Sequence, residues 1–542
     1  MAMTAVQKRY FTIDKNTSKL VFTGKIRDSL HDTVPFTEAE KTIINTKEFQ
    51  RLRRITQTAF TYYAFPGATH TRFEHSLGVM HVATLMLHTI MTNQRRLLES
   101  LDFAKESTPD HIFQNMLENE KSYGSLTLTE NVLHFLETSP YLFQCLRFAA
   151  LLHDVGHAPF SHSGEKFMIS WESFSEKIDE LECPLWLKLA FKLKISKLKE
   201  NFQNLTEIKI RHEVYTLLIV SKIFKYDDEY LSEKMAQDIC AILDLSVKPY
   251  SGNDLEKSGL QNLLHEIVSG EIDADRMDYL LRDSRECGIV YGYFDLGRIL
   301  DSLGFYYDYK KNKFHLALRR SGLSAFEDFL RARWSMYQQV YFHKTVTACE
   351  AMLQNINKQL PHFNLPLDLN EYLLLDDNSF YRYIETKYLN DSNSYTKELL
   401  NDLIYNRKLW KRVYEECIPK NAIRLIPSLC PAILNFVQSS DFPSELIENS
   451  TNLTNFSPKG KETSSKNNLK IIIKDVHSLK YLEPVEQHSS LINKSDEEII
   501  IRRIYVSRYK LNHEEINSKE IQKKISEKII NPDQSLNQFD NN

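Results

Sequence analysis

Glycine is scarce: the chain has 15 glycines in 542 residues, and neither a GxxxxGK[ST] nor a GxGxxG run occurs. Any phosphate it binds must be held by arginine, lysine, histidine and a metal rather than by a glycine-rich backbone cradle. Cysteine is sparse too. The seven cysteines are dispersed and no two form a CxxC pair, which points to reduced thiols in a cytoplasmic protein. There is no apolar leader region and no run of about 18 apolar residues, so neither secretion nor membrane insertion is expected. Excess positive charge is also absent. The formal net charge is −4, so bulk electrostatics do not indicate nucleic acid as a partner.

What is present is ordinary globular composition, 42% hydrophobic and 26% charged. The length suffices for a large core or two to three domains. The most informative segment is Leu152-His153-Asp154-Val155-Gly156-His157, which follows the apolar run Phe148–Leu152. An imidazole and a carboxylate side by side in such a run need compensation. A divalent ion supplies it, because both groups are good ligands for Zn, Fe, Mn or Mg. The pair does not stand alone. Thr71-Arg72-Phe73-Glu74-His75-Ser76 lies upstream and Asp273-Ala274-Asp275-Arg276-Met277-Asp278-Tyr279 downstream, giving the order H…HD…D.

That order resembles the HD-domain metal-dependent phosphohydrolases. The runs around Glu48–Arg53, Phe65–Ser76, His153–His162 and Ile272–Tyr279 narrow the resemblance to the deoxynucleoside triphosphate triphosphohydrolases, over roughly residues 20–350. The resemblance implies a mainly α fold: an HD-domain helical bundle with a small α+β C-terminal region. Residues 1–24 read as a lead-in and 25–350 as the phosphohydrolase domain, with insertions near 92–140 and 166–205. Residues 351–440 read as a helical extension, 441–468 as a Ser/Asn/Thr/Lys-rich linker, 469–530 as the α+β region, and 531–542 as a disordered tail. Apolar periodicity predicts helices over Val79–Met91, Leu142–Leu152 and Phe326–Met352; the last carries Trp334, Tyr337 and Tyr341 as a packing stripe. Alternation predicts strands at Leu469–Ile473 and Ile499–Ser507. The Lys/Leu-rich segment within 166–205 reads as amphipathic helix, a solvated face before a partner surface.

The resemblance also assigns roles. His75, His153, Asp154 and Asp275 would hold one divalent ion. A mixed N/O set suits Fe, Mn, Zn or Mg without choosing among them, and Mg would accompany the nucleotide. His157, His162 and His212 are the candidate acids for the leaving 5′-oxygen. The family pattern favours His212 oriented by Glu165, where the animal enzyme has Asp, with His162 on the α-phosphate. Arg72, Arg276 and Arg333 match positions facing the triphosphate, Arg276 replacing a Lys. Gln57, Tyr279, Asp283, Tyr341 and His343 match the rest of the substrate pocket: Asp283 would accept from the sugar 3′-hydroxyl, and Tyr279 would pack beneath the deoxyribose. After Gln57 the family has Leu and small glycines, whereas this chain has Thr58-Ala59-Phe60. Asn45, Gln50 and Arg53 fall where relatives bind an activating guanine nucleotide. Asn45 replaces an Asp there, and an amide cannot take two N–H donors as a carboxylate does. The resemblance implies a nucleotide substrate and a homo-oligomer, dimer or tetramer. Two other readings stand beside it: an HD hydrolase of another nucleotide or nucleic-acid phosphoester, and a catalytically weak HD-fold scaffold.

Overall fold

The computed structural model describes residues 20–107, 126–225, 232–308, 311–389, 394–419, 428–439, 442–451, 470–472, 482–485, 488–489, 499–509, 515 and 517–530. The described part opens with an antiparallel hairpin, β1 (Phe22–Asp28) and β2 (Asp32–Thr37), which runs into α1 (Glu38–Ile44). Thr37 starts α1 with a capping box: its hydroxyl accepts from Glu40 N (3.2 Å), and Glu40 Oε2 accepts from Thr37 N (2.9 Å). Glu40 is also one half of a buried ion pair with Arg147 (2.6 Å). The guanidinium further donates to Thr84 Oγ1 (2.6 Å) and Pro35 O (2.8 Å). An unpaired charge there would be costly, so this knot fixes the hairpin and α1 onto α2 (Arg72–Ser107) and α3 (Pro140–Leu152).

α3 starts on Ser139 as N-cap with Pro140 in its first turn. Every residue from Gln144 to Leu152 is buried. Such a helix has no wet face and runs through the centre of a bundle. It packs against α2, which in turn packs against α6; before α6 come α4 (Leu185–Asn201) and α5 (His212–Ile223), and α6 itself spans Ala274–Glu286. α2 thus lies between α3 and α6 in the core. The chain motifs with His75, His153 and Asp275 sit at the ends of those three helices.

Several expectations are corrected. The region read as mostly helical is so, but it also contains two hairpins for which the sequence predicts no strand, β1–β2 and β3 (Leu303–Asp308) with β4 (Lys313–Arg319). Alternating apolar residues in Phe314–Leu318 carry the second, and Asn312 turns it with φ 53°. The expected helix Phe326–Met352 is broken. It divides into α7 (Leu323–Met336), a π turn over Tyr337–Tyr341 in which Phe342 N donates to Tyr337 O (2.9 Å), and α8 (Lys344–Gln359). The helical extension contains β5 (Lys411–Pro419) before a last helix over Cys430–Gln438, and the linker segment contains β6 (Ser444–Thr451). The short strands β7 (Lys470–Ile472) and β8 (Leu482–Pro484) extend the β3–β4 sheet, β7 running parallel to β4. β9 (Ile499–Val506) is the central strand of a β5–β9–β6 sheet. Polar composition hid β6 because polar side chains of this strand are buried: Ser444, Glu445 and Asn449 are, and Glu445 accepts from the distant Asn355 and Lys358.

The 92–140 insertion begins as a continuation of α2, and its segment 108–125 lies outside the described residues, as do most of the lead-in and the tail 531–542. In the 166–205 insertion, α4 buries Leu187, Ala190, Phe191 and Ile195 and exposes Leu185, Leu189 and Leu193. No described helix is long and apolar enough to cross a membrane.

Candidate metal centre and active site

α3 ends at Leu152 with His153 as its C-cap, so the His-Asp pair sits on the turn that leaves the central helix. His153 Nδ1 faces Ala150 O (2.8 Å), one turn back. His75, in the first turn of α2, has its Nδ1 on Asp278 Oδ2 (2.8 Å). Each ring is thereby turned so that Nε2 points inward. His75 Nε2 lies 3.0 Å from Asp275 Oδ1 and 3.5 Å from Asp154 Oδ2. His153 Nε2 lies 3.3 Å from Asp154 Oδ2 and 3.7 Å from Asp275 Oδ1. Both Nε2 atoms are buried and lack a hydrogen-bond partner. Two imidazole nitrogens left open among two carboxylates are the donor set of a cation site. These four residues could hold a divalent ion, and the chemistry of the set leaves Fe, Mn, Zn and Mg open. Asp154 and Asp275 are both held below the usual carboxylate range. Burial pushes them up, but Arg72 and His153 outweigh it at Asp154, and His153 and His75 at Asp275.

A second cluster adjoins the first across Asp154. His157, His162, Glu165 and His212 bring their ligand-type atoms within 4.8 Å of one another. His212 opens α5. Its Nδ1 lies 2.5 Å from Glu165 Oε1, and its Nε2 lies 3.7 Å from Asp154 Oδ1. His157 stacks on the His212 ring at 3.7 Å. Burial presses His212 towards the neutral form, but the charges of Glu213 and Glu165 win, and its pKa is raised. His157 moves the other way: burial and then the Arg72 charge hold it well below the ordinary imidazole value. His157 is therefore neutral at pH 7, and His212 is the better proton donor. His162 is 68% exposed and meets Glu165 at 3.3 Å, so it stands at the mouth of the site.

Gly156 makes this juxtaposition sterically possible. A Cβ there would lie 2.2 Å from Thr216 N and 2.4 Å from His212 O, both backbone atoms of α5. Gly156→Ala is expected to push α5 away from Asp154 and cut turnover at least tenfold, with a lowered Tm. Full turnover in a folded Gly156→Ala protein, measured alongside its melting curve, would contradict this placement.

The expected phosphate and sugar contacts are placed unevenly. Arg72 reaches the site but is buried and engaged with Asp154 Oδ2 (2.5 Å), Ser161 Oγ (3.0 Å) and Gln57 O (3.2 Å). It steadies a candidate ligand instead of facing an open pocket. Arg276 folds back on Gly270 O and Asp273 Oδ2. Arg333 lies over the Tyr337 ring at 4.9 Å, beside Tyr279. Asp283 is 1% exposed, with its oxygens on Tyr341 Oη (2.6 Å) and His70 Nε2 (2.7 Å), so it orders its neighbours within the wall. Tyr279 and Tyr341 meet edge-on at 6.3 Å. The π turn is what aims Tyr341 inward, and His343 follows it as the N-cap of α8, its Nδ1 accepting from Thr345 N (3.2 Å). Gln57 is buried with Oε1 lacking a partner. Phe60, in the segment that departs from the family, stacks on Phe160 at 4.7 Å.

Asn45, Gln50 and Arg53 lie together. Gln50 Nε2 donates to Ile44 O (2.7 Å) beside Asn45, and its Oε1 accepts from Arg53 Nε (2.9 Å). Arg53 covers the Phe73 ring at 3.5 Å, next to Arg72. Two groups escaped the sequence reading. Asp278 lies three residues after Asp275 in α6, a spacing that puts both on one face. His70 sits five residues before His75, and no spacing rule marks it.

The family model for the HD domain matches residues 143–283, and that for the HD associated region matches residues 294–419. An uncharacterized protein of Methanocaldococcus jannaschii is 30% identical over 354 residues, 65% of this chain and 53% of that protein. The deoxynucleoside triphosphate triphosphohydrolase SAMHD1 of Danio rerio is 27% identical over 343 residues, 62% of this chain and 45% of that protein. The chain thus spans about half the length of these two relatives. A phosphohydrolase from Bacteroides thetaiotaomicron superposes with a TM-score of 0.55 at 20% identity, covering 90% of this chain and 100% of that one, a likeness of fold.

Proposed function

On the premise that this is an HD-domain protein with an HD-associated region and dNTP triphosphohydrolases among its relatives, we propose that it hydrolyses deoxynucleoside triphosphates to deoxynucleoside and inorganic triphosphate. The observation that carries the reading is the sharing of Asp154. One of its oxygens belongs to the cation cluster with His75 and His153, and the other faces the His212–Glu165 pair. A metal centre and a proton donor therefore act on one reacting phosphorus.

A divalent ion bound by His75, His153, Asp154 and Asp275 supplies Lewis-acid polarisation and a lowered water pKa. The chain's own residues do the rest. Glu165 accepts from His212 Nδ1–H, which leaves the Nε2 proton directed at the site. When water adds to the α-phosphorus and the bond from phosphorus to the 5′-oxygen breaks, His212 gives that proton to the oxygen, and the proton shed by the attacking water passes to solvent. His162, at the mouth, contacts the α-phosphate. Arg276 and Arg333 line the path of the β- and γ-phosphates, and Arg72 keeps Asp154 in place. Tyr279 and Tyr341 form the sugar wall, which Asp283 stiffens. The working form is a homo-oligomer, a dimer or tetramer, as the resemblance implies.

The test is a panel of dNTPs and NTPs offered to the full chain with Mn²⁺ or Mg²⁺. Release of free deoxynucleoside from at least one dNTP is the expected outcome. Release of monophosphates, or no turnover of any dNTP with the metal site filled, would contradict the reading.

A further inference from the structure

The helix that supplies the half-buried Asp275 carries a fully buried carboxylate one turn further on. Asp278 is fully buried and accepts from four directions. Its Oδ2 takes His75 Nδ1 (2.8 Å) and Arg282 Nε (2.8 Å), and its Oδ1 takes His31 Nε2 (2.6 Å) and Arg282 Nη2 (2.9 Å). The other side of Arg282 grips Asp28 Oδ2 (2.9 Å). Asp28 caps the hairpin turn by accepting from the backbone N–H of Leu30 (2.9 Å) and His31 (2.8 Å). The β1–β2 hairpin therefore clamps α6 at the residue that touches His75.

Space for the carboxylate comes from α2. A Cβ on Gly78, three residues after His75, would lie 1.9 Å from Asp278 Oδ1 and 2.5 Å from Arg282 Nη2. Only a glycine in that turn lets the carboxylate reach the imidazole. Asp28, Arg282 and Asp278 together leave one negative charge, which the Asp278 carboxylate presents to His75 Nδ1 and His31 Nε2. A carboxylate on Nδ1–H fixes the tautomer whose lone pair is on Nε2 and the orientation of the ring. Nε2 is the atom that lies among Asp154 and Asp275 without a hydrogen-bond partner.

We propose that Asp278 is a positioning residue for the metal centre: held by Arg282, His31 and the N-terminal hairpin, it sets the tautomer and orientation of His75 and so the affinity of the site for a divalent cation. The inference rests on the reading of His75 as a ligand. A buried carboxylate of this kind has a simpler role, as glue between hairpin and α6, and the experiment separates the two.

Full-length protein is stripped with a chelator and titrated with Mn²⁺ by calorimetry or competition with a metal indicator. The proteins are wild type, His75→Ala, Asp278→Asn and Glu40→Gln, with melting curves of each apo protein. Glu40→Gln breaks an equally buried ion pair with Arg147 that has no contact with His75. Asp278→Asn is expected to bind Mn²⁺ about 10–100-fold more weakly. Glu40→Gln is expected to lower Tm while leaving Mn²⁺ affinity within threefold of wild type, on the order of the uncertainty expected for a site it does not touch. If Asp278→Asn lowers Tm but keeps wild-type affinity, the residue is glue and the proposal is overturned. If Asp278→Asn does not fold, Arg282→Gln, which leaves Asp278 in place but unclamped, is read in the same way. Weaker Mn²⁺ binding supports the proposal and unchanged binding overturns it. Undiminished binding by His75→Ala removes the ligand reading itself and this inference with it, an outcome distinct from the others.

Discussion

Protein carrying both His153→Ala and Asp154→Ala is expected to emerge from purification without stoichiometric divalent metal and without phosphohydrolase activity. The two residues contribute differently. His153 supplies Nε2, turned inward by the contact of Nδ1 with Ala150 O. Asp154 supplies the carboxylate that both clusters share, and it is held ionised against burial by Arg72 and His153. Losing both leaves one imidazole and one partly exposed carboxylate, too few donors for tight binding of a hard or borderline ion. The double change also leaves Arg72 buried beside an alanine, so some thermal stability is lost. Circular dichroism guards against a trivial loss of fold. Elemental analysis showing undiminished metal in a folded double variant would contradict the assignment.

The second large effect is on turnover alone. His212→Ala is expected to lower kcat by about 10²–10⁴-fold, the usual contribution of a positioned acid, with KM changed little. Negative charge builds on the departing 5′-oxygen only in the transition state, so ground-state affinity has no stake in the proton. Glu165→Gln keeps a hydrogen-bond acceptor for Nδ1–H but removes its charge, so its loss is smaller and of the same kind. Because Glu165 contributes to raising the His212 pKa, the alkaline limb of kcat is expected to move to lower pH in Glu165→Gln. The group is active while protonated, and a lowered pKa means the proton is lost earlier. Steady-state kinetics across pH check both. A His212→Ala enzyme with intact kcat would move the proton to His162, since His157 is buried neutral.

The sequence made the helices and the cation cluster legible because both are written in short-range terms. Leu142–Leu152 is apolar but for Gln144 and Arg147, so most of its burial could be read directly. His153 and Asp154 are neighbours in the chain, and His75 and Asp275 sit in motifs long enough to be matched. The hairpins were less legible. β1–β2 is short and half-exposed, and its place is set by Arg147 and Arg282 reaching it from helices more than a hundred residues away. The break between α7 and α8 was invisible to periodicity because Tyr337 and Tyr341 fit an α-helix until the π turn adds its extra residue. The same limit explains Arg72 and Asp283. Motif position singled out both residues, but only the fold shows that Asp154, and Tyr341 with His70, already engage them.

The most direct measurement is phosphorus NMR of a dNTP turned over to completion by the full chain with its metal. Intact inorganic triphosphate, one per deoxynucleoside released, is the expected product if the bond that breaks is the one proposed, between the α-phosphorus and the 5′-oxygen. Pyrophosphate with a deoxynucleoside monophosphate, or stepwise orthophosphate, would place the cleavage at another bond and contradict the assignment.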